Sequence, residues 1–279
     1  MPILAGCLMP HPPIMVPEVG RDEVLKVSKT LDAARRIGKE VQTLSPETVI
    51  LITPHGPVFR DGLCISTSKR LYGDLGNFGA PDVKLSFEND LELVEKIIEK
   101  GKEDKTSVCP FDEKMATSYG MTSCLDHGAL VPLYFLRGTV SFKLVHISMG
   151  LLPYRELYQF GKIIQNVVKE MGKKVVVVAS GDLSHRLIPG APAGFHPEAE
   201  KFDRKLITYL QEFKVEEILN MDEHLIEKAG ECGLRPIIIM LGSLDGFIIN
   251  PEILSYEGPF GVGYCVARFE IKGGQEDER

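Results

Sequence analysis

The stretch Thr48-Val49-Ile50-Leu51-Ile52-Thr53-Pro54-His55-Gly56 decides the fold. Its apolar run is unbroken rather than alternating, which suits a parallel strand covered by helices on both faces. Pro54 ends the run, and a histidine stands on the turn that follows. The same design occurs at Ile3-Leu4-Ala5-Gly6-Cys7-Leu8-Met9-Pro10-His11-Pro12-Pro13, and again at Val175-Val176-Val177-Val178-Ala179-Ser180-Gly181-Asp182-Leu183-Ser184-His185. Three buried-strand patterns each lead into a loop that carries one histidine.

Between these strands the pattern changes to helical spacing. Over 22–44, Val24, Leu25, Val27, Leu31, Ala34 and Ile37 share one broad face, and Pro46 stops the helix. Shorter strands are expected at 63–66 and 83–87 around a Gly-rich link, followed by a helix over 90–100 closed by Gly101. His127 leads into an apolar helix. A strand at 142–147, a helix at 155–171 and a strand at 174–179 come next. An amphipathic helix over 197–212 precedes Glu231-Cys232-Gly233-Leu234-Arg235-Pro236, which opens another helix; strands at 247–255 and 262–271 complete the sheet. There is no internal repeat and no low-complexity linker. The expectation is an α/β fold, a single three-layer domain over residues 1–272 with a central mixed sheet flanked by helices on both faces. The polar segment 273–279 is expected to be a disordered tail.

Composition narrows the partners. With 44% hydrophobic residues in 279, the chain can bury a sizeable core. No apolar run reaches the ~18 residues of a membrane span, and the N-terminal residues lack the basic region and cleavage site of a signal peptide. A soluble cytoplasmic protein, with no membrane partner, is expected. A net charge of −7 argues against nucleic acid, whose phosphates would be repelled. The six cysteines form no C-x-x-C pair, so reduced, mostly buried thiols are expected rather than a zinc ribbon. Whether the chain forms a homo-oligomer stays open.

In open α/β sheets, ligands collect beyond the carboxyl ends of the strands. His11, His55 and His185 all stand just past such ends. Any one of them alone reads as a hydrogen-bonded structural histidine, but three equivalent placements point to metal binding or acid/base catalysis. A carboxylate completing such a site should be fixed near a helix start. Glu231 fits, although it equally suits a charge favouring the helix dipole. Asp182 and Asp126 are rivals, each also readable as a turn or cap residue. His146 lies inside a strand pattern and reads as a core residue, while His196 and His224 read as surface residues. Phe59, Tyr119 and Phe195 could line a pocket, with ordinary packing the simpler role.

The His11-Pro12-Pro13 loop, Pro54-His55-Gly56, Asp126-His127-Gly128-Ala129 with Val131-Pro132-Leu133, the Ser180 to His185 loop and Glu231-Cys232-Gly233 occur together in this order. In this they resemble the LigB-like class III extradiol dioxygenases, over nearly the whole chain from His11 to about Ala267. The resemblance implies that His11, His55 and Glu231 bind a non-haem Fe(II), that His185 is the acid/base residue, and that His127 is a substrate or oxygen partner. Such a triad leaves three adjacent positions open on iron, enough for a catechol and O2. Zinc or another divalent metal could occupy the same ligands after purification. The implied activity is cleavage of a catechol-like aromatic ring with O2. The family also includes Memo-like proteins, so a metal-binding or redox protein without ring cleavage is the alternative reading. A metal-assisted hydrolase is a third.

Overall fold

A computed structural model describes residues 2–138 and 141–274. In chain order, β1 (Ile3–Met9) leads through α1 (Pro17–Gly20) and the 3-10 helix Arg21–Val27 into α2 (Ser28–Leu44) and β2 (Thr48–Thr53). Then come β3 (Leu63–Ser66), β4 (Arg70–Leu75), β5 (Ala80–Glu88), α3 (Leu91–Glu103), β6 (Val108–Phe111), α4 (Glu113–Ser118), α5 (His127–Leu136), β7 (Lys143–Ser148), α6 (Tyr154–Met171) and β8 (Val175–Ser180). The rest comprises α7 (Glu198–Gln211), α8 (Val215–Leu219), α9 (Glu223–Ala229), α10 (Leu234–Ser243), β9 (Phe247–Glu257) and β10 (Tyr264–Gly274).

Eight strands form one sheet in the order β6-β3-β7-β2-β8-β1-β10-β9, and β4 and β5 make a separate hairpin. The central run β7-β2-β8-β1 is parallel throughout, whereas β10 joins β1, β9 joins β10, and β3 joins β7 antiparallel. The expected mixed sheet with helices on both faces is therefore present. All six residues of β2 and of β8 are buried. Their alternate side chains enter two separate cores. Ile50, Ile52, Val175 and Val177 pack with side chains of α3, α6 and α10, such as Leu93, Phe160 and Ile238. Val49, Leu51, Val176 and Val178 face α2 and α5 through residues such as Ile37 and Leu133. No helix among the described residues is long and apolar enough to cross a membrane.

Some expectations need correction. The regular helix of 22–44 begins only at Ser28, because the preceding turn is 3-10 and leaves Leu25 73% exposed. The Glu257 carboxylate accepts from both the backbone N–H and the hydroxyl of Thr30, at 2.8 and 2.7 Å, and so satisfies the open end of α2. Gly101 lies inside α3, which runs on to Glu103. The Gly-rich link holds β4, and β6, α4 and α8 occupy segments left unassigned; the helical segment expected around His224 is α9, whereas His196, expected in a helix, precedes α7. β10 pairs through Gly274 with Phe247, so 273 and 274 are strand; 275–279 lie outside the described residues.

The end of the sheet away from the strand carboxyl termini is tied by Asp90, a buried residue that caps α3. Its carboxylate accepts from Thr48 Oγ1 at 2.6 Å and from Lys173 Nζ at 2.7 Å. Burial works against the charge, yet these two hydrogen bonds outweigh it and hold the Asp90 carboxyl below its ordinary range. Replacing Asp90 by Ala removes the buried partner of Lys173, whose side chain is only 17% exposed, and leaves it the exposed Glu92 carboxylate at 3.0 Å. It also deprives the buried Thr48 hydroxyl and the start of α3 of their acceptor. Asp90→Ala should lower the free energy of unfolding by about 3 kcal/mol while leaving metal affinity unchanged, as measured by urea denaturation and metal titration of the same preparation.

Candidate metal centre

The parallel register of β1, β8 and β2 sets the site. Met9 lies opposite Ser180, and Ile52 opposite Ala179, so the three strands end almost flush. Beyond them His11, His55 and the loop from Gly181 to His185 emerge on one edge. The fourth histidine comes from α5, where Asp126 caps the first turn by accepting from the Gly128 N–H at 2.9 Å. His127 is thereby carried to the same place.

His11, His55 and His127 converge. Their ring centroids are 4.8 Å (11–55), 5.6 Å (11–127) and 4.3 Å (55–127) apart, each pair edge to face. One nitrogen of each lies within 4.8 Å of the others, close enough for a single ion to touch all three. A second set of the same compactness joins His11, Asp182 and Cys232. The backbone N–H of His11 donates to Asp182 Oδ1 at 3.0 Å, and Asp182 Oδ2 is 3.8 Å from His11 Nε2. Cys232 Sγ also stands 3.8 Å from that nitrogen. Asp126 Oδ2 lies 3.5 Å from His55 Nδ1.

His185 borders this group. Its Nδ1 is 2.6 Å from the Gly230 carbonyl, which can only accept, so Nδ1 carries the proton. Its Nε2 then faces Asp182 Oδ2 at 3.9 Å with a lone pair when the ring is neutral. Glu231 is in neither ligand set; its Oε2 accepts from the Leu234 N–H at 2.6 Å and caps α10. His146 is a satisfied core residue, between Thr53 Oγ1 and Ser66 Oγ at 3.1 Å each. His224 is exposed, and His196 Nδ1 accepts from the Glu198 N–H. Phe59 and Tyr119 pack against each other, and Phe195 is exposed. Two neighbours escaped the sequence reading: Cys232, there grouped with the buried thiols, and Phe78, whose ring lies 5.2 Å from that of His127. The only sequence signal for Cys232 was its place beside Glu231.

The electrostatics suit a cation. Burial, with repulsion from His55 and His127, pushes His11 down to about 4 despite Asp182, so at neutral pH its ring is uncharged and able to ligate. Burial also lowers His127. Burial raises Glu231 to about 7, against the Leu234 amide and Arg235. The Cys232 thiol is pushed well above its ordinary range by burial and by the charges of Asp182 and Glu231. Three imidazoles beside two carboxylates form a donor set that fits a divalent transition metal.

Residues 5–267 match the family model for the catalytic LigB subunit of aromatic ring-opening dioxygenase, and the chain belongs to that family. It is 39% identical over 264 residues to Protein CA_C1420 of Clostridium acetobutylicum, covering 94% of this chain and 56% of that one. It is 28% identical over 194 residues to a 2,3-dihydroxyphenylpropionate/2,3-dihydroxicinnamic acid 1,2-dioxygenase of Mycolicibacterium gilvum, covering 65% of this chain and 56% of that one. A MEMO1 family protein of Methanococcoides burtonii is 34% identical over 150 residues, 50% of this chain and 53% of that one. The chain thus spans little more than half the length of these curated relatives. The fold matches the crystal structure of uncharacterized protein JW3007 from Escherichia coli K12, with a TM-score of 0.64 at 15% identity over 95% of this chain and 99% of that one.

His146 offers a test of the burial argument away from the ligands. Burial lowers it to about 4 from an ordinary 6.5, so between these values the unfolded chain binds a proton that the folded protein does not. Its contribution is present above 6.5 and is lost as the pH falls toward 4. The stability advantage of the wild type over His146→Gln should therefore shrink by about 2 kcal/mol between neutral pH and about pH 4.5. Urea midpoints of the metal-free proteins at the two pH values check this.

Proposed function

We propose that the protein is a non-haem Fe(II)-dependent extradiol dioxygenase that opens a catechol-like aromatic ring with O2. The observation that carries this reading is the convergence of His11 and His55, from the loops after β1 and β2, with His127 from the first turn of α5, in a chain of the LigB family. The Mycolicibacterium relative is named for a substrate with two vicinal hydroxyls, which supports the substrate class.

In this reading His11 and His55 are ligands, and Glu231 is the third. Two neutral imidazoles leave a dication's charge uncompensated, and a carboxyl near 7 ionises readily once a cation approaches. Fe(II), when bound, supplies open coordination positions and a route for electron density between the aromatic diolate and O2. His185 Nε2, which bears the lone pair of the neutral ring because Nδ1–H is committed to Gly230, accepts the second phenolic proton. Asp182 beside it steadies the resulting imidazolium and so keeps the proton within the site until a more basic oxygen develops to take it. His127, kept neutral by burial, donates or accepts a hydrogen bond at the substrate or oxygen.

His11→Ala and His55→Ala should each abolish stoichiometric metal binding, and Glu231→Gln should weaken it severely. His127→Ala should keep the metal and raise KM or slow turnover. Elemental analysis decides: metal lost from His127→Ala and retained in Glu231→Gln would make His127 the third ligand. Anaerobically iron-loaded wild type should consume O2 with a member of a catechol panel and form a yellow ring-opened product.

His185→Gln should bind metal and substrate nearly normally, yet lose activity by roughly 10²–10⁴-fold with a flattened pH–rate profile. An unchanged rate and profile, on any substrate the wild type turns over, would remove His185 from the mechanism.

A second reading has its own observation. The Cys232 thiol beside His11 Nε2 is a soft donor within the ligand group. It favours a metal-binding or redox protein without ring cleavage, in line with the MEMO1 family relatives. Metal binding with silence toward every catechol is the outcome expected from it.

A further inference from the structure

Ser180, the last residue of β8, is fully buried and takes no part in the chemistry above. Its hydroxyl lies between the Gly128 carbonyl at 2.5 Å and His11 Nδ1 at 3.0 Å. A carbonyl oxygen cannot donate, so the one hydroxyl proton goes to Gly128. The contact with His11 must then take its proton from the ring, which places it on Nδ1. A neutral imidazole has a single N–H, so Nε2 keeps its lone pair. That nitrogen faces Asp182 Oδ2 and Cys232 Sγ, both 3.8 Å away.

The other end of the hydroxyl reaches a second histidine. Gly128 follows His127 in the first turn of α5, and a Cβ at Gly128 would come within 3.1 Å of the Cβ and Cδ2 of His55. The turn therefore sits directly on His55, and the Ser180 hydroxyl ties it to His11.

We propose that Ser180 is a positioning residue: its hydroxyl locks His11 as the Nδ1–H tautomer with Nε2 free for a metal, and braces the turn of α5 that presents His127. The metal half of this proposal rests on the reading above; the tautomer half does not.

The test uses the intact metal-free protein labelled with 15N-histidine and long-range 1H–15N correlation spectra. His11 should show the Nδ1–H form in the wild type and revert in Ser180→Ala to mainly Nε2–H, the form an unconstrained imidazole favours. Zinc alone, titrated against a chromophoric chelator, should bind Ser180→Ala about 10–100-fold more weakly than wild type, with little change in the thermal midpoint of the metal-free protein. If Ser180→Ala does not fold, Ser180→Cys carries the same expectation, because a thiol is a poor acceptor. An Nε2–H form in the wild type, or equal zinc affinity in the variant, overturns the proposal. A wild type that shows the Nδ1–H form but binds no zinc overturns the metal reading and the positioning role together, and leaves the hydrogen-bond lock in place.

Discussion

The site depends first on the register of three parallel strands. Because Met9 is opposite Ser180 and Ile52 opposite Ala179, β1, β8 and β2 stop at nearly one level. β8 lies between β1 and β2, so the loops after these two strands lean over its end to bring His11 and His55 to 4.8 Å. A shift of one residue in β8 would turn its valines to the opposite core and move Ser180 away from His11. The separate cores on the two faces of the sheet therefore hold the site as firmly as any hydrogen bond within it.

Asp182 links the parts of that site. Its carboxylate accepts from the His11 backbone, stands near His11 Nε2 and faces His185 Nε2. The same residue's backbone N–H reaches Cys232 Sγ at 3.3 Å, and its carbonyl accepts from Gly233 at 2.9 Å. A single short loop thus fixes the distance between the histidine cluster, the candidate base and the start of α10. A charge gained at the cluster would be felt at His185 through this one group.

Much of this was legible in the sequence. β1, β2 and β8 are continuous apolar runs, the pattern of a strand covered on both faces, and the histidines after them marked the sheet edge at which His11 and His55 meet. What stayed hidden depended on tertiary contacts. β4 read as a link because of Gly73, yet that glycine is where the hairpin meets the backbone of Leu125; a Cβ there would lie 2.2 Å from its carbonyl oxygen. Leu25 kept a helical spacing in a segment with no surface to cover it, whereas Val24 in the same 3-10 turn is partly buried against the α2 core. At 231 and 232 two ligand types stand side by side at a helix start, and spacing cannot say which one turns inward. In the structure Glu231 caps α10 and Cys232 faces His11.

The place of β1 has a consequence for how the protein is made. The strand that leads to His11 lies between β8 and β10, with Ala5 opposite Glu270 and Gly6 opposite Val177. Both partners are synthesised more than 160 residues after it. Until then β1 has no neighbour in the sheet, and His11 has neither Ser180 nor Asp182 to orient it. Contacts this distant in sequence slow folding. The candidate site therefore takes shape late, once β8 and β10 have been delivered to the two sides of β1.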